Sequence, residues 1–168
     1  CISFAGYTQQ QTVSTAFNAA LEKILLEFPN AFSNLMGEEI LKDETEVRYE
    51  SRIILPGAED CIINASTDGS IKSVGWEAVF ASTETYEEAE KVYKQLYLQL
   101  IGCRFKLKTK SSVSLVGKWK SPVQDENYST TLLTLSSATG NYRKMAIELE
   151  MVKVLDEWKV NLRVKENA

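Results

Sequence analysis

The sequence contains no histidine. Histidine is the side chain that changes charge near neutral pH. Its absence removes a Ser-His-Asp or Cys-His nucleophile, a histidine-ligated zinc and a histidine pH switch from the chemistry this chain can carry. Cysteine is scarce: the three residues Cys1, Cys61 and Cys103 form no CxxC pair and lack the close paired spacings of a zinc site. Eight glycines and three prolines in 168 residues argue against a collagen-like or low-complexity chain. No run reaches the ~18 apolar residues of a membrane-spanning helix. There is no GxGxxG or Walker loop, no GxSxG elbow and no SxxK pair. Asp68-Gly69-Ser70 alone does not supply the ligand ladder of a calcium loop. No metal site and no cofactor is expected.

What is present describes a globular chain. With 44% hydrophobic and 25% charged residues, 168 residues make one domain with a core of its own. The net charge of −4 is mild and gives no footprint for non-specific nucleic-acid binding. Three readings fit the opening Cys1-Ile2-Ser3-Phe4-Ala5-Gly6: the acylated first residue of a bacterial lipoprotein, the tail of a secretory signal, or an arbitrary starting point. The first two mean export, to the periplasm or the outer membrane, with a lipid on Cys1 as the only membrane attachment. Residues 1–13 are accordingly set aside as a tether or signal remnant, and 14–168 as a single domain.

Phe17, Leu21, Ile24, Leu25 and Phe28 repeat at helical spacing, with Ser14 as N-cap and Pro29 as stop, and predict a helix over 15–28. A connection follows from Asn30 to Thr45, its acids reading as solvated surface. The period then changes to two: Val47, Tyr49, Ser51, Ile53 and Leu55 share a face. A second strand runs from Cys61 to Ala65, Asp68-Gly69 turns the chain, and a third strand points Val74, Trp76, Ala78 and Phe80 inward. Thr85 and Glu88 predict a capping box for a helix whose stripe is Tyr86, Ala89, Tyr93, Leu96, Tyr97, Leu100 and Ile101, ending at Gly102. Strands are predicted again at Val113–Trp119, Thr130–Leu135, Met145–Val154 and Trp158–Val164. The expected fold is α+β: two helices on a mainly antiparallel, curved sheet of about six to seven strands, in an order compatible with a duplicated αβββ unit.

Several residue sets are candidates for function. Arg104, Lys106, Lys108, Lys110, Lys118 and Lys120, with no acid among them, suit an anionic or acidic partner, or equally an edge strand blunted by lysines. Trp76, Tyr86, Tyr93 and Tyr97 suit an interface or pocket, or simply a helix packed on its sheet. Glu148 with Glu150, and Glu46 with Glu50, share strand faces; a carboxylate hydrolase or lyase would need such a pair in a cleft, and solvent-facing strand acids explain them better. Asn64-Ala65-Ser66 and Asn127-Tyr128-Ser129 match glycosylation sequons. Cys61 and Cys103 read as one disulfide if the chain is exported, closing a loop of about 40 residues for about 4 kcal/mol, or as two buried thiols if it is not.

Leu55-Pro56-Gly57-Ala58 with Cys61, then Trp76, then Tyr86-Glu87-Glu88-Ala89 through Tyr93, Leu96 and Leu100 to Cys103, resembles small exported proteins of Bacteroidetes-type bacteria. That resemblance implies an exported α+β domain, supports the disulfide and assigns no activity. The helix and strand order is also similar to secretion-chaperone-like folds. The reading that follows is a non-enzymatic interaction module of the cell envelope, with a protein partner or a second copy of itself. A small-ligand domain whose apolar cavity is lined by Trp76, Trp119 or Trp158 is the alternative, and a histidine-free hydrolase the third.

Overall fold

The computed structural model describes residues 14–167; the expected tether, and Cys1 with it, lie outside the described residues. The first helix, α1, spans Thr15–Leu26, buries Phe17, Leu21, Ile24 and Leu25, and is capped by Ser14, whose hydroxyl accepts from the Phe17 N–H at 3.4 Å. It closes two residues earlier than the spacing predicts, because Pro29 has no N–H to continue the α-helical ladder and the chain tightens into a 3₁₀ turn from Phe28. Two short 3₁₀ turns, Phe28–Asn30 and Ser33–Leu35, carry the chain round to the sheet.

Two four-strand meanders build that sheet. The first consists of β1 (Met36–Lys42), β2 (Glu46–Ser51), β3 (Asp60–Asp68) and β4 (Ile71–Thr83). Helix α2 (Tyr86–Gly102) follows. The second meander is β5 (Leu115–Val116), β6 (Tyr128–Leu135), β7 (Met145–Val154) and β8 (Glu157–Glu166). The spatial order is β1-β2-β3-β4-β8-β7-β6-β5, and every neighbouring pair is antiparallel. The fold is α+β with two helices on an antiparallel sheet, as expected, but the strands number eight rather than six to seven.

The additional strand is β1, which lies inside the stretch expected to be a connection. Its pairing with β2 shifts register twice and most of it is exposed, so no row of side chains is buried and no alternation is imposed on its sequence. The Asp68-Gly69 turn forms as expected. Gly69, at φ 59°, makes the β3–β4 turn, and a Cβ on Gly117 would lie 2.2 Å from the Leu132 carbonyl oxygen, so only glycine fits where the chain leaves β5 beside β6.

Three local expectations are corrected. The capping box does not form: the Thr85 hydroxyl makes no cap bond, and Glu88 instead accepts from the Thr83 hydroxyl, which holds its carboxyl below the usual range. Along β4, an irregularity between Val79 and Ala81 in the pairing with β8 changes which side faces in, so Ala81 is buried and Phe80 only half-buried. The alternating stretch from Arg104 to Lys110 is not a strand, since Phe105 forms a single bridge to Val113 and Lys108 turns the chain at φ 56°.

The core lies between helices and sheet. β4 contributes Trp76 and Ala78, β7 Ile147, Leu149 and Met151, β8 Val160, Leu162 and Val164, and the helices Leu21, Ile24, Ala89, Tyr93 and Leu100. Two polar pairs are sealed inside. The Trp76 indole N–H donates to the Ser51 hydroxyl at 2.9 Å, and the hydroxyls of Tyr93 and Thr131 lie 2.8 Å apart. Each supplies the partner that a buried polar atom needs.

Candidate functional site

The tyrosines and tryptophans expected at a common pocket are dispersed through the packing. Trp76 and Tyr93 are wholly buried. Tyr86 lies edge-on to Trp158 at 5.3 Å and donates to the Pro122 carbonyl at 3.0 Å; Tyr97 packs on Trp119 at 4.7 Å. Burial and the neighbouring Glu90 raise the Tyr86 pKa above that of a free phenol. Tryptophan lines neither the cavity beside Leu107 and Tyr142 nor the one beside Arg163 and Lys165.

The six basic residues after α2 are all exposed but do not share a strand face, because that strand is not formed. The Arg104 guanidinium donates to the carbonyls of Ile101 and Cys103 at 3.0 and 2.8 Å and so closes the end of α2. The Lys106 backbone N–H donates to Glu22 at 2.8 Å. Lys120 comes within 4.0 Å of Glu126, while Lys108 and Lys110 occupy the turn between Phe105 and Val113. A cavity of about 250 Å³ sits beside this segment, walled by Leu107, Val113, Leu135, Tyr142 and several hydroxyls.

The expected disulfide is absent: Cys61 and Cys103 are both free and buried. Helix α2 packs on β4, β5, β7 and β8, whereas Cys61 is carried by β3, one strand further out. The Cys103 thiol donates instead to the Gln99 carbonyl at 3.2 Å, and burial pushes its pKa up to about 12.

Glu148 and Glu150 are not the solvated strand acids they resemble in sequence. On the sheet face away from the helices they are 13% and 7% exposed, packed around Arg163. The Arg163 guanidinium is 3.0 Å from Glu150, 3.4 Å from Glu148 and 3.6 Å from Glu77, and its direct cross-strand neighbours are Glu77 on β4 and Glu148 on β7. Lys165 binds Glu148 at 2.8 Å and the Asn161 amide donates to Glu150 at 2.9 Å. Burial alone would lower the Arg163 pKa; Glu150 and Glu77 more than offset that and hold it above the usual arginine value. Each buried carboxylate is therefore neutralised by a hydrogen-bonded cation. Of the other candidate pair, Glu46 is tied to Arg48 and Glu50 is exposed.

This network borders a larger cavity of about 420 Å³. It opens where β4 outruns its pairing with β8: Ile71–Gly75 pair with β3 alone, and the β4–β8 ladder begins at Trp76 opposite Val164. The strands supply Asn64, Lys72, Glu77, Arg163 and Lys165, while the turns at Phe28–Asn30 and Gly140–Lys144 supply Phe28, Pro29, Asn141 and Lys144. Asn64, the acceptor residue of a sequon, is among them, and its side-chain oxygen is buried without a partner among the described residues. Asn127, from the other sequon, is exposed. No sequence pattern marks this site, since its residues come from five separated segments. The available signal is Gly75 inside strand β4, where a missing side chain marks a gap or a close approach.

Compared with protein-family models, with curated proteins and with solved structures, the chain matches none.

Proposed function

We propose that this chain is a non-catalytic binding module whose ligand, a small molecule, sits in the cavity at the open end of β3, β4 and β8. The carrying observation is that cavity itself: about 420 Å³, within the range of small-molecule sites, with charged side chains on one part of its lining and Phe28, Pro29, Ala31 and Val74 on another. Commitment of Glu77, Glu148 and Glu150 to Arg163 and Lys165 favours binding over hydrolysis. A general acid or nucleophile must be free to reach a substrate, and these carboxylates are each engaged by Arg163 or Lys165.

The resemblance of the Leu55–Cys103 unit to exported proteins suggests the bacterial envelope as its location. The order of a helix followed by four strands, met twice, suggests a duplicated unit one strand longer than αβββ.

The test is thermal unfolding with a small-molecule panel on the wild-type chain and on Gly75→Leu. A Cβ on Gly75 meets nothing closer than 3.5 Å, so the larger side chain fits at its base and occupies the cavity. Compounds that bind should stabilise the wild type by about 2.7 kcal/mol at a hundred times their Kd and leave Gly75→Leu unshifted. Equal stabilisation of both proteins, or of neither by any compound, would remove the reading.

A further inference from the structure

We infer that the cavity takes a small organic anion, a carboxylate or phosphate carried on an aromatic or aliphatic body. The inference rests on the binding reading above and adds the ligand's charge and polarity to it. Four cations, Lys72, Lys144, Arg163 and Lys165, line the cavity against two carboxylates, Glu77 and Glu166, although the chain as a whole carries a net charge of −4. Three of the four are already occupied. Arg163 is held by Glu77, Glu148 and Glu150, Lys165 by Glu148 at 2.8 Å, and Lys144 by Glu166 at 3.4 Å. Lys72 makes no salt bridge among the described residues. An anion entering here meets an ammonium that needs no carboxylate displaced, whereas Arg163, Lys165 and Lys144 are already matched by Glu77, Glu148, Glu150 and Glu166.

The apolar part of the lining is built with equal specificity. Ala31 and Phe32 both adopt left-handed backbone, at φ 49° and 57°, a conformation that side chains with a Cβ resist. Two features hold them there. The Phe32 side chain is wholly buried, and its ring meets Phe28 edge-on at 6.1 Å. The Ala31 and Phe32 N–H groups donate to the carbonyls of Phe28 and Glu27 at 3.1 and 3.0 Å. A strained turn kept in place by burial, and bringing Phe28, Pro29 and Ala31 to a cavity that Lys72 also lines, is backbone cost retained at a site of use. A cationic group beside an apolar surface selects a ligand with the same two halves.

Four probes of matched shape test this by NMR titration of the full chain: phenylacetate, phenyl phosphate, phenylacetamide and phenethylamine. At low salt the tighter of the two anions should bind about tenfold better than the amide, and the better one names the head group. That preference should shrink as salt is raised. Lys72→Met should bring the anion to within about twofold of the amide and leave the amide's affinity unchanged. An amide or amine that binds as tightly as either anion, an unaltered ratio in Lys72→Met, or no binding by any probe at about 10 mM, each overturns the inference. Gly75→Leu separates the two failures. Charge-blind binding that Gly75→Leu abolishes removes the anion alone, whereas binding that survives Gly75→Leu removes the cavity reading as well.

Discussion

Strand β8 presents Trp158, Val160, Leu162 and Val164 to the helices, none more than 5% exposed, and Lys159, Asn161, Arg163 and Lys165 to the opposite face. Its neighbour β7 does the same with Ile147, Leu149 and Met151 on one side and Glu148 and Glu150 on the other. The backbone ladder is common to both faces, so the difference lies in the side chains. The helix-covered face is held by apolar area and shape, where a lost methylene leaves a cavity. The other face is held by a few charges that neutralise one another at close range and tolerate some water. The same arrangement explains why the candidate site opens beside Arg163 and Lys165: polar side chains can end at a cavity, whereas a close-packed apolar layer closes over one.

Substitutions along the two faces should separate these modes. The largest effect belongs to the covered face. Trp76→Ala removes a wholly buried ring and its hydrogen bond to the Ser51 hydroxyl, and chemical denaturation should show a loss of about 3–5 kcal/mol. Arg163→Met comes next, at about 2 kcal/mol, because Glu148 and Glu150 lose their central cation while still largely shielded from water. That loss should ease with added salt, and the Trp76→Ala loss should not. The smallest belongs to the exposed Lys144–Glu166 pair: Lys144→Ala should cost no more than about 0.5 kcal/mol. An Arg163→Met variant as stable as wild type would mean that the charged face contributes nothing, and that the contrast is one of composition only.

The legibility of this fold in its sequence follows the same contrast. Where one face of an element is buried, the pattern is direct. The predicted strand Met145–Val154 coincides with β7, and Ser14 caps α1 as the spacing requires. Where neither face is buried, the pattern fails. The sequence of β1 reads as a connection because an exposed edge strand with two register shifts puts no constraint on alternation. The converse error arose at Arg104–Lys110, where alternation came from two anchors, Phe105 and Leu107, docking a loop onto the core rather than from a strand. Cys61 and Cys103 looked paired because nothing in their spacing reveals that α2 packs one strand away from β3. The site was the least legible feature. Its lining joins a turn after α1, a hairpin end and the last residues of β8, and that juxtaposition exists only once the two meanders meet along β4 and β8.

The place where a small organic anion binds decides the function of the cavity. Backbone amide shifts of the wild-type chain, followed while phenylacetate and then phenyl phosphate are added, locate it directly. The perturbed amides should cluster at Phe28–Ala31, Asn64–Ser66, Lys72–Glu77, Asn141–Lys144 and Arg163–Glu166, the segments that line the larger cavity. Perturbations centred instead on the exposed lysines between Arg104 and Lys120, or spread without a focus over the sheet, would contradict it.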